Sequence, residues 1–395
     1  MRKPFAVRHR DGSPETRSCH APGVSNVRAM RAPSDDLTEP GEVAAVPLPP
    51  VFGRGANINP PNRFEPILLT PDPDFPADEL PDPRTQFFDD SSESLLNTNK
   101  SPDVGFAHGL NVYRGCEHGC AYCFARPFHE YLGWSSGLDF ETKIMVKKRA
   151  PQLLRKELTA RRWQPQPVAM SGATDCYQPA ERHFLLTRQC LEVFAELRHP
   201  VFIITKNALV TRDIDVLREL AKYQCIGVHV SVTTLDSNLA GKLEPRASRP
   251  AARLRAIREL SEAGIPVGVM VAPIIPGLTD HEMPAILEAA AEAGASRAGH
   301  VIVRLPFAVK DVFLQWLEDH VPNKKARIVD RLRSLHGGKL YDSDWGKRMR
   351  GEGIFAEQLS DLFKLASRKY GLTQENFPLS TEHFRRPGGN QLELF

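Results

Sequence analysis

From Gly109 onward, short apolar runs alternate with amphipathic stretches. The runs are GLNVYRG, PVAMSG, PVFIITK, CIGVHVSVT, PVGVMVAPI and GHVIVRLP. Each is rich in Val and Ile, as expected of a strand covered on both faces. Between them the apolar positions recur with helical spacing, in ARPFHEYLG and KKRAPQLLRKELTARR, AERHFLLTRQCLEVFAELR, TRDIDVLRELAKY, RPAARLRAIRELSEAG and TDHEMPAILEAAAEAG. Gly264 and Gly294 are placed to end two of these helices before the next strand. Six strands, each followed by a helix, require parallel pairing and right-handed crossovers. The pattern therefore predicts an α/β fold, either an open doubly wound sheet or a partial barrel.

The flanks read differently. Residues 1–97 are Pro-rich, with passages such as VPLPPVFGRG and TPDPDFPADELPDPR that cannot form regular helices or central strands. They predict a disordered arm passing into an extended segment laid over the main domain. The βα series occupies 98–308, a strandless helical extension 309–372, and a flexible tail 373–395.

Composition changes this picture little. With 51 Lys and Arg against 48 Asp and Glu, the net charge of +3 selects no partner. The charge is unevenly spread, however. Eight basic residues fall between Glu141 and Arg162, and nine between Lys324 and Arg350. Such segments form either a phosphate-binding surface or solvated helix faces. The beginning of the chain lacks the apolar core of a signal peptide, and no run approaches the ~20 apolar residues of a membrane span. Seven cysteines, odd in number and mostly clustered, do not form a disulfide framework. A cytoplasmic location, without membrane association, is expected.

The cysteines carry the chemistry. NVYRGCEHGCAYCFARP places Cys116, Cys120 and Cys123 in a C-x3-C-x2-C array directly after the first strand. Three thiolates in a Gly-containing loop can wrap a cubane of four irons, leaving one iron open to chelate a small molecule. Zinc, with His118, His129 or Cys176 as fourth ligand, is the alternative, but zinc sites usually pair two C-x2-4-C units and no second unit exists here.

With the aromatic Tyr122 before its third cysteine, the array resembles the signature of the radical S-adenosylmethionine superfamily. That resemblance implies a partial (β/α)6 TIM-type barrel over roughly 109–306, a [4Fe–4S] cluster on the three cysteines, and S-adenosylmethionine on the open iron. It also implies reductive cleavage of that cofactor to a 5′-deoxyadenosyl radical, and an electron donor of flavodoxin or ferredoxin type. Further site residues follow from the family pattern. Ser171, Gly172 and Asp175 occupy the turn after the second strand, where the family contacts the cofactor's amino group. Ser231 ends the fourth strand, and Ile274 lies in the segment that packs on adenine. Glu244 and Arg246, read from their chemistry, suit either a zwitterion or a surface salt bridge.

YRGCEHGCAYCFAR, HEYLGWSSGLDFETKI and TDCYQPAE resemble the branch related to spore photoproduct lyase, which reverses a thymine dimer in DNA. That branch places a hydrogen-donating cysteine after the second strand. Here the position falls near Gly172 and Ala173, with Cys176 as a shifted donor or a loop thiol. The chain ends in Gln391, Leu392, Glu393, Leu394 and Phe395, which resembles the peptide that docks bacterial repair proteins on the sliding clamp. These features favour DNA as substrate, in lesion repair or base modification. Radical modification of RNA, a peptide or a small molecule, and a non-catalytic clamp-associated iron–sulfur protein, are the alternatives.

Overall fold

The computed structural model describes residues 5–9, 46–47, 53–64, 67–71 and 84–386. Cys19 and the Gln391–Phe395 peptide lie outside the described residues.

One seven-stranded sheet organises the chain. Its strands are β1 (Leu96–Thr98), β2 (His108–Leu110), β3 (Val168–Met170), β4 (Val201–Thr205), β5 (Ile226–Ser231), β6 (Val267–Ile274) and β7 (Arg297–Ile302). They lie side by side in chain order. β2 to β7 are all parallel, and β1 adds an antiparallel edge to β2. Each of the six apolar runs thus contains one parallel strand. Helices α1 (Ala150–Thr159), α2 (Leu186–Leu197), α3 (Ile214–Ala221), α4 (Pro250–Glu262) and α5 (Met283–Glu292) form the crossovers. Gly264 and Gly294 follow α4 and α5 with positive φ, where a side chain would be strained.

The two faces of the sheet are unlike. On the helix side Val201, Ile203, Val228, Val230, Val269 and Val271 are wholly buried in the main core. The alternate residues Phe202, Ile204, His229, Ser231, Met270 and Ala272 line an internal cavity. Alternation of side chains along a strand assigns one set to packing and the other to a lumen. The sheet is therefore the wall of a partial (β/α)6 barrel.

The C-terminal extension consists of α6 (Val309–His320), α7 (Pro322–Leu335) and α8 (Ile354–Lys369). Phe313, Trp316 and Leu317 of α6 share a second core with Cys120, Ala121 and Tyr122. Residues 373–386, expected within a flexible tail, are held along the sheet. Thr373 bridges Arg297, Phe377 packs on His229 at 4.7 Å, and the Ser380 and Arg385 amides donate to Gln224 and Leu197. The arm also contributes order. Gln86–Asp89 pairs in parallel with Lys143–Val146, and residues 54–62 lie on the cysteine loop.

Candidate active site

The cysteine loop leaves β2 through Tyr113–Arg114 and turns at Gly115 and Gly119, both with positive φ. Its backbone is tied down on several sides. The Cys116 amide donates to Phe140 O, that of Glu117 to Gln178 Oε1, and that of Ala121 to Leu243 O. Leu243 ends a short helix, Ser237–Leu243, capped by the Asp236 carboxylate. Beneath the loop the fully buried Arg126 forks onto Cys120 O at 2.8 and 3.0 Å, Gly137 O at 2.8 Å and Glu141 Oε1 at 2.5 Å. Glu141 Oε2 accepts in turn from the Gly55 amide of the arm. A Cβ at Gly55 would stand 1.7 Å from Gly119 O, so only glycine lets the arm lie this close.

All three cysteines line a cavity of about 510 Å³. Burial is the largest cause raising all three thiols above their usual range, and for Cys116 the nearby Asp175, Cys120 and Cys123 add to it. Iron would compensate thiolates that this site alone does not stabilise. Among the described residues, no three His, Cys, Asp or Glu side chains converge enough to hold a single metal ion. That argues against mononuclear zinc. A cubane fits the arrangement, because each thiolate meets its own iron. The proposed fourth zinc ligands are otherwise engaged: His118 contacts Asp175 and Asn207, His129 packs on Phe140 and Trp134, and Cys176 lies in the core.

Tyr122, Ser171, Gly172, Asp175 and Ser231 line the same cavity as the cysteines. Asp175 accepts from Thr205 Oγ1 and the Lys206 amide, both at 2.8 Å, and lies 3.4 Å from His118 Nδ1. Burial pushes its carboxyl up, but His118 and these donors hold it below the usual carboxylate range. It is thus a fixed anion between the thiols and the lumen. Ser171, in the left-handed region with φ 75°, aims its hydroxyl at the Cys176 amide.

Four expected site residues stand elsewhere. Cys176 is 2% exposed and sits in the main core, outside the cavity lining. The turn that closes through Ser171 carries its side chain behind the sheet. Ile274 is also buried in the main core, because the β6–β7 register shifts between Val271 and Ile274. Glu244 forms a buried pair with Arg253 and accepts from the Tyr122 and Thr233 hydroxyls. Burial opposes its charge, yet Arg253 and Lys206 hold its carboxyl down at about 2. It pins Tyr122 and does not line the cavity. Arg246 pairs with Glu117 at 3.2 Å, outside the lining.

Other lining residues were not singled out from the sequence. His229, Met270 and His300 project into the lumen beside Phe106 and Phe202, and Arg304 stands next to Phe124, its guanidinium 3.9 Å from the ring. Strand alternation, once the register is known, would have found the first three. Lys206, which follows β4, reaches across to Ala272 O at 2.9 Å.

Comparison with known proteins agrees with this geometry. Residues 110–290 match the family described as the radical SAM superfamily. An uncharacterised protein of Mycobacterium tuberculosis is 36% identical over 243 residues, spanning 60% of this chain and 70% of the relative. An uncharacterised protein of Methanocaldococcus jannaschii is 32% identical over 190 residues, 47% of this chain and 67% of the relative. A protein of Pseudomonas phage M6 named radical SAM Nalpha-GlyT isomerase is 28% identical over 226 residues, 56% of this chain and 44% of that protein. Among solved structures, a spore photoproduct lyase variant with bound AdoMet and dinucleoside spore photoproduct superposes with a TM-score of 0.52. At 18% identity, over 71% of this chain and 79% of the other, this likeness establishes the shared fold. The chain belongs to the radical SAM superfamily and is a radical SAM enzyme, whose cofactors are a [4Fe–4S] cluster and S-adenosylmethionine.

Proposed function

We propose that Cys116, Cys120 and Cys123 ligate the cluster and that the enzyme acts on DNA, in lesion repair or base modification. The observation that carries this reading is one cavity lined by all three thiols and, for the rest, by largely apolar surface. When bound and reduced by a flavodoxin- or ferredoxin-type donor, the cluster and S-adenosylmethionine supply a 5′-deoxyadenosyl radical that removes hydrogen from the substrate.

The chain's own residues set the conditions for that chemistry. Tyr122, held by Glu244, and the Ser171–Gly172 turn shape the space next to the thiols. Asp175 offers a fixed negative charge to a cationic amino group, and Lys206 a positive one to a carboxylate. Phe106, Phe202 and Met270 keep the lumen apolar, which excludes water from a reactive intermediate. DNA is favoured by the structural neighbour that holds a dinucleoside spore photoproduct and by the basic segments. Sliding-clamp docking through Gln391, Leu392, Leu394 and Phe395 would serve the same role. No helix among the described residues is long and apolar enough to cross a membrane, and a cytoplasmic location suits an oxygen-sensitive cluster acting on DNA.

Anaerobic reconstitution followed by mass spectrometry of treated DNA, RNA and peptide tests the reading. Wild type should form 5′-deoxyadenosine and alter DNA, and alanine at any of the three cysteines should remove both iron and turnover. Product on RNA or peptide alone would overturn the DNA assignment.

A further inference from the structure

Two exposed rings, Phe307 and Trp345, are tied through neighbouring residues to Arg304 and Asp103 of the cavity lining. Arg304 follows β7 and lines the cavity. Its guanidinium lies on the Phe124 ring and has no hydrogen-bond partner among the described residues. A partly buried guanidinium whose donors meet no acceptor among the described residues is set to receive an anion in place of water. Three residues on, Phe307 is 47% exposed in a left-handed backbone conformation, φ 50°, with Arg63 stacked 3.6 Å from its ring. Phe64, packed on Tyr131 at 4.9 Å, continues this patch beside Arg63.

A second exposed ring is fixed to the cavity wall. Asp103 lines the cavity and accepts from the Gly346 amide at 2.6 Å and Arg348 Nε at 2.5 Å. Arg348 also lies over Trp345, which is 52% exposed. Asp103 is therefore already paired with Arg348, while Arg304 and the exposed Glu375 also line the cavity.

Large exposed apolar rings cost solvation, and their interleaving with cations matches a chain of bases and phosphates. A base reaches such a cavity only after leaving the duplex stack, which a single strand does at no unpairing cost. The geometry points to a docking surface for single-stranded DNA around these residues: Arg304 takes the phosphodiester of the nucleotide entering the lumen, and Phe307 and Trp345 stack on the flanking bases. This deepens the DNA reading above and rests on it.

The test is fluorescence polarisation with the reconstituted full-length enzyme and S-adenosylmethionine, using one short sequence as single-stranded DNA, duplex DNA and single-stranded RNA. Single-stranded DNA should bind at least about tenfold more tightly than either of the others. Phe307→Ala and Trp345→Ala should each weaken it by about 5- to 100-fold. Arg304→Ala should weaken it and reduce the salt slope by roughly 0.7 of a counterion, with Arg304→Lys partly restoring affinity. Leu365→Ala, an exposed apolar residue on α8, should change nothing. Binding of single-stranded DNA should also quench Trp345 fluorescence. Equal binding of duplex or RNA, equal competition by polyglutamate, or loss of S-adenosylmethionine affinity in Arg304→Ala would each overturn the proposal. If DNA is altered but single strands show no preference, only this inference falls. If no DNA form binds or reacts, the DNA reading falls with it.

Discussion

Replacing Arg126 should unseat the cysteine loop while leaving every cysteine in place. Arg126 and Glu141 are both wholly buried and pair at 2.5 Å beneath Cys120. Arg126 also donates to three backbone carbonyls, those of Cys120, Ser136 and Gly137. Adding a separate energy for each bond would overcount, since one side chain makes them all and its ordering is a shared cost. Removing one partner of a buried pair costs about 3–5 kcal/mol, because the other charge is left uncompensated. The Gly55 amide still donates to Glu141 Oε2 after the substitution, which places the expected loss toward the lower end. Arg126→Met should therefore destabilise the metal-free protein by about 3 kcal/mol, and Arg126→Met/Glu141→Gln should recover part of it. The assay is urea unfolding of the metal-free protein followed by circular dichroism, paired with iron content after reconstitution. Iron retention should fall in Arg126→Met although its three thiols are intact. A loss below about 1 kcal/mol together with full iron loading would refute the bracing role.

Cys176→Ala should leave cofactor cleavage and product quenching as in wild type, because the thiol is in the core; an accumulated unquenched product in that variant would return Cys176 to the reaction. Arg246→Ala should change S-adenosylmethionine affinity less than twofold, since its partner is Glu117, and a tenfold loss by titration would contradict the placement. Burial, with help from Arg297 for His229 and from Arg350 and Lys364 for His300, lowers these imidazoles from 6.5 to about 4. The unfolded chain then takes up protons first, so stability is full above about pH 6.5 and is lost as pH falls toward 4, by on the order of 3 kcal/mol per ring. Urea midpoints measured across that window should drop in wild type and flatten in His229→Gln/His300→Gln; parallel slopes would show the lumen histidines already charged.

Much of the fold was legible because the two periodicities are physically distinct. Val201–Thr205 and Val267–Ile274 each read as one buried run, and each forms one parallel strand. Gly264 and Gly294 mark helix ends because few other residues accept φ near +75° and +93°. The arm and the last described segment were harder. Gly55 has no pattern of its own; its role comes from Gly119 and Glu141, 64 and 86 residues away. Residues 373–386 contain Pro378 and little periodicity, yet Phe377 finds a place against Gly227, where no side chain competes for the space. Long-range fit of this kind leaves no local signal.

The candidate site divides along the same line. Cys116, Cys120 and Cys123 are legible because three cysteines within eight residues make a local pattern. Residues that meet the cavity from separate strands do so by facing, and facing has a period of two, so a one-residue error exchanges lumen for core. Ile274 shows this directly: the register shift between Val271 and Ile274 turns it inward, while Ala272 and Pro273 meet the lumen. Glu244 and Arg246 show a second ambiguity. A carboxylate near an arginine reads equally as a ligand pair or as two separate anchors, and only burial decides between them. Arg253, nine residues beyond Glu244, takes its charge, and the Tyr122 hydroxyl completes the pairing. The acid therefore acts on the site through the loop it pins. In this chain Asp175 is the acid next to the thiols that lines the cavity. One oxygen accepts from the Thr205 hydroxyl and the Tyr177 amide and the other meets the Lys206 amide and His118, so it acts there through its fixed charge.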